Sequence, residues 1–418
     1  MKSLSDEGAN RNSLQFKMKS KFKLDELAQL EPKTKKRLRV LILADQDYPA
    51  EVVRDHVQAI FLHSRHDVTI KAPRRPVSRW KRYLPRKKIT LVNEGGEPFD
   101  VILIHYSICI LFTSYLPQYL REGIRKFKGI KIQIIQDEYR WIERMMKDMV
   151  YLGIHGLISS LSLENLDRVY RAKELRKVVK VSALPGYVPE RLEGVRTKPI
   201  RDRNIHLVYR GRELPYWMGR AAYEKTTLSN KFLAQSKGLS LMVDVSSLEK
   251  DRIYGRDWIE FIMSSKTVLG LEGGASIFDF DGEAEKAVKQ SLKKNKGISF
   301  ETLSKNVLQA HEGNVVHRTI TPRSFEAIAL GTVQVLFKGE YRGVLEPWRH
   351  YLPLERDFSN FHEIVKILQN DEELQIIADQ THREIIQSRK YSDRILGLGV
   401  DGLIDHLRER ITLKQCVE

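Results

Sequence analysis

Short continuous apolar runs alternate along this chain with longer segments whose apolar residues recur at helical spacing. The run RVLILA at 39–44 has no polar residue after its arginine, the pattern of a parallel strand covered on both faces. The same pattern places strands at 67–71, 100–105, 131–136, 156–159 and 178–182, with helices between most of them. A punctuated stretch follows at 184–203, where Pro185, Gly186, Pro189, Gly194 and Pro199 interrupt a charged sequence. Beyond it the alternation restarts, with strands at 205–209, 240–245, 267–271 and 333–337 and helices near 219–235, 255–264, 283–294, 300–310 and 322–330. No short-period internal repeat is visible.

Strand–helix alternation of this kind predicts the α/β class with doubly wound parallel sheets, here as two Rossmann-like domains. The expected boundaries are a flexible basic tail at 1–37, an N-terminal domain at 38–190, a C-terminal domain at 204–390 and a final helix at 391–418 that crosses back. The tail mixes Lys, Ser, Asn and Asp without a sustained strand pattern, although 22–30 fits a short amphipathic helix. A length of 418 residues suits two domains, and a hydrophobic content of 42% suffices for two cores.

Cys109 and Cys416 are the only cysteines, too few for a disulfide framework or a cysteine-based zinc site, which fits a reducing cytoplasm. The N-terminus lacks the apolar core of a signal peptide, and the most apolar run, at 101–116, is broken by His105, Ser107, Thr113 and Ser114. The expectation is a cytoplasmic protein, or one held peripherally on the inner face of the cytoplasmic membrane. The net charge of +17 favours the second, because it is concentrated. Between Lys71 and Lys88 stand Arg74, Arg75, Arg79, Lys81, Arg82, Arg86 and Lys87, with Trp80 and Tyr83 interleaved and no acidic residue. Such a segment attracts anionic head groups or a lipid diphosphate, with the aromatic rings at the interface. A solvated loop is the plainer reading. Nucleic acid would be attracted too, but no recognisable binding motif supports it as a partner.

The usual signatures of other chemistries are missing. After the first strand comes DQDYPAE, with no G-x-G-x-x-G, and Gly95-Gly96 and Gly273-Gly274 lack the fingerprint spacing of dinucleotide enzymes. There is also no G-x-x-x-x-G-K-[ST] loop, G-x-S-x-G elbow or H-E-x-x-H helix.

The stretch 318–360 is the most informative. A helix opened by Thr321 and Pro322 and carrying Glu326 runs into Gly331 and a buried strand, which puts a carboxylate and a helix N-terminus at the carboxyl edge of a sheet. Together with the two-domain plan, RSFEAIALGTVQVLF and the restart YRGRELPYWMGRAAYEK resemble glycosyltransferases of the GT-B fold, of the group 1 and spore-maturation type. The resemblance implies a C-terminal domain that binds a nucleotide-sugar, an N-terminal domain that offers a glycan or lipid-linked acceptor, and chemistry in the cleft without an essential metal or other cofactor. It assigns Glu326 to the ribose hydroxyls. The turn Thr321, Arg323, Ser324 would present amides to phosphate. Arg210, Arg212 and Lys225 follow as basic contacts to the donor diphosphate, which gathers negative charge as it leaves. Many retaining members carry a second glutamate eight residues earlier; here that position is Arg318, an alternative phosphate contact.

Glu272, before Gly273-Gly274, is a further donor-side candidate, since glycines let a ligand approach the backbone. Asp279-Phe280-Asp281 matches the D-x-D that binds Mn²⁺ or Mg²⁺ in other glycosyltransferases, a common three-residue pattern. On the acceptor side, His105, Asp137 and Glu138 each follow a buried strand and are candidates for the general base. Asp45 and Asp47 are weaker ones. Glu346, Arg349 and His350 are placed to close around the nucleotide, and Trp348 reads as core. Two other readings stand beside the glycosyltransferase: a sugar-nucleotide epimerase of the same fold, and a non-catalytic basic scaffold that binds lipid or nucleic acid.

Overall fold

The computed structural model describes residues 19–32, 36–73 and 88–415. The first half is a seven-stranded sheet built from β1 (Lys21–Lys23), β2 (Arg39–Leu43), β3 (Asp67–Lys71), β4 (Val101–Ile104), β5 (Ile130–Ile135), β6 (Gly156–Ser159) and β7 (Val179–Ser182). Its order is β1-β7-β6-β5-β4-β2-β3, and every pairing is parallel. Helices α1 (Leu24–Ala28), α2 (Glu51–His63), α3 (Gln118–Lys126), α4 (Ile142–Leu152) and α5 (Leu163–Val169) connect and cover the strands. Strands β4, β5 and β6 are buried at every position; β4 is apolar throughout, while β5 buries Lys131 and Gln133 among its isoleucines and β6 ends in Ser159.

The second half has a five-stranded parallel sheet of β8 (Ile205–Arg210), β9 (Val243–Ser246), β10 (Ser265–Gly270), β13 (Val333–Phe337) and β14 (Leu352–Leu354), in the order β14-β13-β10-β8-β9. A separate antiparallel pair, β11 (Gly273–Ala275) and β12 (His317–Thr319), brackets an excursion between β10 and β13. The helices are α6 (Arg220–Ser236), α7 (Gly255–Met263), α8 (Glu283–Lys294), α9 (Phe300–Leu303), α10 (Pro322–Ala329), α11 (Phe361–Leu368), α12 (Asp371–Thr381) and α13 (Arg394–Gln415). The result is two Rossmann-like domains facing across a cleft.

The excursion ties the two domains together. Phe278 and Val315 are buried in the apolar core of the first domain. The Asp279 amide donates to the Tyr139 carbonyl at 2.9 Å, and the Arg140 guanidinium grips both carboxylate oxygens of Glu285 at 2.6 Å each. Helix α13 returns to lie on α1 and α2. That packing needs Gly399 and Gly402, because a Cβ at either position would run into Leu24 or Leu27.

Within the expected flexible tail at 1–37, the part at 21–28 is instead built into the first domain. Lys21–Lys23 pairs with β7, and Phe22, Leu24 and Leu27 are buried. The apolar face at 22–30 has a partner, but that partner is supplied from the far end of the chain. The basic residues 74–87 lie outside the described residues. No helix among the described residues is long and apolar enough to cross a membrane.

Candidate active site

In the second sheet the chain passes from β8 outward to β9 and then back across to β10 on the other side. Loops leaving the carboxyl ends of β8 and β10 therefore diverge and open a crevice, the position where ligands settle in doubly wound sheets. A cavity of about 340 Å³ occupies it. Its walls are Tyr209, Gly211, Gly270 and Leu271 from the strand ends, Lys225 from α6, Trp258 from α7, and Thr321, Arg323, Ser324 and Glu326 from α10. The first domain closes one side with Ala50, Glu51 and Val52 at the start of α2.

Helix α10 begins with Thr321 at the N-cap and Pro322 at the first helical position, where a missing amide costs no helical hydrogen bond. Thr321 makes no side-chain cap, but the Ser324 amide bonds back to the Thr321 carbonyl at 2.9 Å, so the Arg323 amide is the first-turn donor left to the crevice. Gly186 of the interdomain segment lies so close that a Cβ there would stand 2.8 Å from the Pro322 ring. One turn on, Glu326 is buried and its Oε2 accepts a 2.8 Å hydrogen bond from Trp258 Nε1. Burial raises its pKa, opposed by that bond and by Arg323. The Arg323 guanidinium donates to the Arg210 carbonyl at 2.7 Å and lies 4.7 Å from the Trp258 ring. Lys225 has no carboxylate partner among the described residues. Burial, then Arg323 and Arg212, push its pKa down to about 8. An unneutralised cation held among other cations in a cavity wall is a site for an anion.

Asp137, at the end of β5, faces this group from the first domain. It is exposed and acts electrostatically on Tyr139 and Lys225. Arg212 is also exposed and acts on both Tyr139 and Lys225. Asp137, Arg212, Lys225, Thr321, Arg323, Ser324 and Glu326 thus converge, as residues read from the sequence.

Four others do not reach the cleft, and a fifth, Arg210, lines the cavity without offering its guanidinium to it. His105 is fully buried, with Nδ1 on Ser107 Oγ at 2.9 Å and Nε2 on His56 Nδ1 at 3.1 Å, so neither ring nitrogen is available as a base. Glu138 points into the first domain, bonded to Ser159 Oγ and the Tyr170 hydroxyl, with burial raising its pKa to about 7. The Arg210 guanidinium is turned to the sheet, held by the Asp244 carboxylate and the carbonyls of Tyr209, Asp244 and Asp251. Glu272 is buried and accepts from the Tyr341 amide at 3.0 Å, and strand β12 rather than a ligand approaches Gly273 and Gly274. Arg318 pairs with Glu224, which also takes Arg356.

Asp279 is a helix cap. Its two carboxylate oxygens accept from the amides of Gly282, Ala284 and Glu285 at the start of α8. Among the described residues no group of three His, Cys, Asp or Glu side chains is arranged to hold a metal ion. Arg349 and His350 bind Glu384 rather than closing over the cleft, and Trp348, expected in the core, is 46% exposed. Sequence reasoning missed Trp258, Tyr139 and the start of α2. Trp258 sits in an ordinary amphipathic helix, and its partner Glu326 comes from another element, so no local spacing signals the pair.

No family model and no curated protein sequence matches the chain. Solved structures do. An alpha-glucosyltransferase in complex with UDP is 10% identical, with 89% of this chain and 100% of that chain covered and a TM-score of 0.51. The alpha-glucosyltransferase in complex with UDP and a 13-mer DNA containing a HMU base gives the same values. HepE of Anabaena in complex with UDP is 10% identical over 88% of this chain and 100% of that one, with a TM-score of 0.48. With two parallel Rossmann-like sheets and a crevice at the switch point of the second, the chain has the GT-B fold of these glycosyltransferases.

Proposed function

We propose that this protein is a glycosyltransferase that moves a sugar from a nucleoside-diphosphate donor to a hydroxyl of a glycan or lipid-linked acceptor, in bacterial surface polysaccharide or glycoconjugate synthesis. One observation carries the reading: Lys225 and Arg323, neither held in an ion pair among the described residues, stand with the start of α10 in the same cavity as the buried carboxylate Glu326. Cations and helix amides fit a diphosphate, and a carboxylate accepts from ribose hydroxyls. UDP in the alpha-glucosyltransferase of the same fold supports this choice of ligand.

In this mechanism Glu326, fixed by Trp258, positions the nucleotide. Lys225, Arg323 and Arg212 counter the charge that grows on the departing diphosphate, which stabilises the transition state more than the ground state. Asp137, exposed just beyond β5, takes the proton of the acceptor hydroxyl. Lys225 and Arg323 supply the charge that a metal ion supplies elsewhere, so the reaction is proposed to run without one. The concentrated charge at 71–88 supports an anionic or membrane-borne acceptor.

The test is the melting temperature of the purified chain with UDP, GDP, TDP and CMP and their sugars, with and without EDTA. A ligand that prefers the native state must raise it. A selective rise unaffected by EDTA is expected. No rise with any nucleotide would leave the chain as a basic scaffold, and sugar rearrangement without an acceptor would make it an epimerase.

A further inference from the structure

The donor cavity contains a polar group that the proposed reaction has not used. On β13, Gln334 and Leu336 face the layer of α7 and α10, opposite Val268 and Gly270 of β10 in parallel register. Trp258, Val268, Gly270 and Leu336 make this wall of the cavity apolar. Gln334 lines it too, is 2% exposed, and its Nε2 has no hydrogen-bond partner. A buried amide left unpaired is destabilising, and such a group in a native fold calls for a reason. The Tyr209 hydroxyl is also buried and unpartnered in this cavity, but it stands beside Gly211 and acts on Arg323, at the end where the cations gather.

We infer that Gln334 reads the nucleobase of the donor, pairing its side-chain amide with a hydrogen-bonding edge of the ring. The inference rests on the nucleotide-sugar reading above and narrows it. Arg323 and Lys225 mark the diphosphate and Glu326 the ribose, so the base is the ring left for the apolar wall. A primary amide offers one acceptor oxygen and a donor nitrogen side by side. One complement is a ring N–H next to C=O, as in uracil, thymine or guanine. The other, met with the amide turned over, is an acceptor nitrogen beside an amino group, as in cytosine or adenine. Trp258 and the aliphatic side chains flank the ring faces.

Binding of UDP, TDP, GDP, CDP and ADP to the full chain tests this, with Gln334→Leu, Gln334→Glu and Lys225→Ala beside the wild type. The wild type is expected to bind its preferred base about tenfold more tightly than at least one of the others, and both Gln334 variants to lose that preference. Gln334→Leu is also expected to keep or raise the melting temperature without nucleotide, because it removes an unpaired polar group rather than a structural bond. Lys225→Ala is expected to weaken all five alike. A base order unchanged in both Gln334 variants overturns this inference and leaves the donor site standing. No binding of any nucleotide by the wild type overturns both. If Gln334→Leu does not fold, Gln334→Glu, isosteric but without the donor hydrogens, decides the question alone.

Discussion

Trp258 and Glu326 lie 68 residues apart in sequence and meet through a 2.8 Å hydrogen bond that fixes the only carboxylate in the α10 wall of the cavity. The bond does two things. It satisfies a buried acceptor, and it leaves the other carboxylate oxygen for a ligand. Trp258→Phe retains an aromatic ring against Arg323 but removes the donor. A hydrogen bond to a charged group is worth about 1.5–3 kcal/mol, so nucleotide affinity is expected to fall about tenfold or more as Glu326 loses its orientation and its pKa rises further. Isothermal calorimetry with the preferred nucleotide measures it. Unchanged affinity would remove Glu326 from the site.

Lys225 gives the site a pH dependence of definite sign. With its pKa lowered to about 8 in the ligand-free protein, Lys225 is charged at neutral pH and loses its proton as pH rises through that value. Affinity for a nucleoside diphosphate should therefore decline above about pH 8. In Lys225→Arg, whose guanidinium keeps its charge, that decline should vanish. The same shift has the opposite effect on folding. The unfolded chain binds the proton more tightly, so the penalty for a charged Lys225 is present below about pH 8 and is relieved as pH climbs toward the ordinary lysine value. Titrations of binding and of denaturant midpoint between pH 7 and 10 separate the two.

Most strands were legible because a parallel strand buried on both faces is largely apolar, as β2, β4 and β13 are, and β5 could be read through Lys131 and Gln133 because isoleucines fill its other positions. The strands that escaped are short or lie at edges. Lys21–Lys23 has one apolar residue, and Leu352–Leu354 contains Pro353, tolerated because β14 has a neighbour on one side. In the site, the α10 residues could be read because they are contiguous. The strand-end candidates could not be sorted, because direction changes with each residue. Asp137 reaches the cleft while its neighbour Glu138 turns inward to Ser159, and Arg212 is open while Arg210 is spent on Asp244.

The buried pair His56 and His105 sets an acid limit. Burial lowers the pKa of His56 to about 3 and that of His105 well below the ordinary value, the latter helped by His56 itself. Both are neutral in the fold. In the unfolded chain they take up protons near pH 6.5, so stability is unaffected above that pH and is lost progressively as pH falls from 6.5 toward about 3. Replacing the pair by His56→Asn and His105→Gln should flatten that slope in urea denaturation between pH 7 and 4, at some cost in stability at pH 7. Nucleotide affinity at pH 7 should be retained, since the two rings touch each other and Ser107 rather than the cavity.

Asp137 carries the last prediction, because it alone of the three acceptor-side candidates is open to the cleft. His105 has both nitrogens engaged, and Glu138 faces Ser159 and Tyr170 behind the sheet edge. If Asp137 accepts the proton of the incoming hydroxyl, Asp137→Asn keeps its shape but cannot act as a base. The turnover rate should then drop about 10²–10⁴-fold while nucleotide affinity stays the same or improves, since an acceptor of protons is lost but a negative charge beside Lys225 is also gone. Glu138→Gln should instead lower the melting temperature and leave the rate of the folded protein largely intact. The contrast is read from single-turnover rates with saturating nucleotide-sugar. A full rate in Asp137→Asn would require the acceptor to be deprotonated by another group, or the sugar to be transferred by a route that needs no enzymic base.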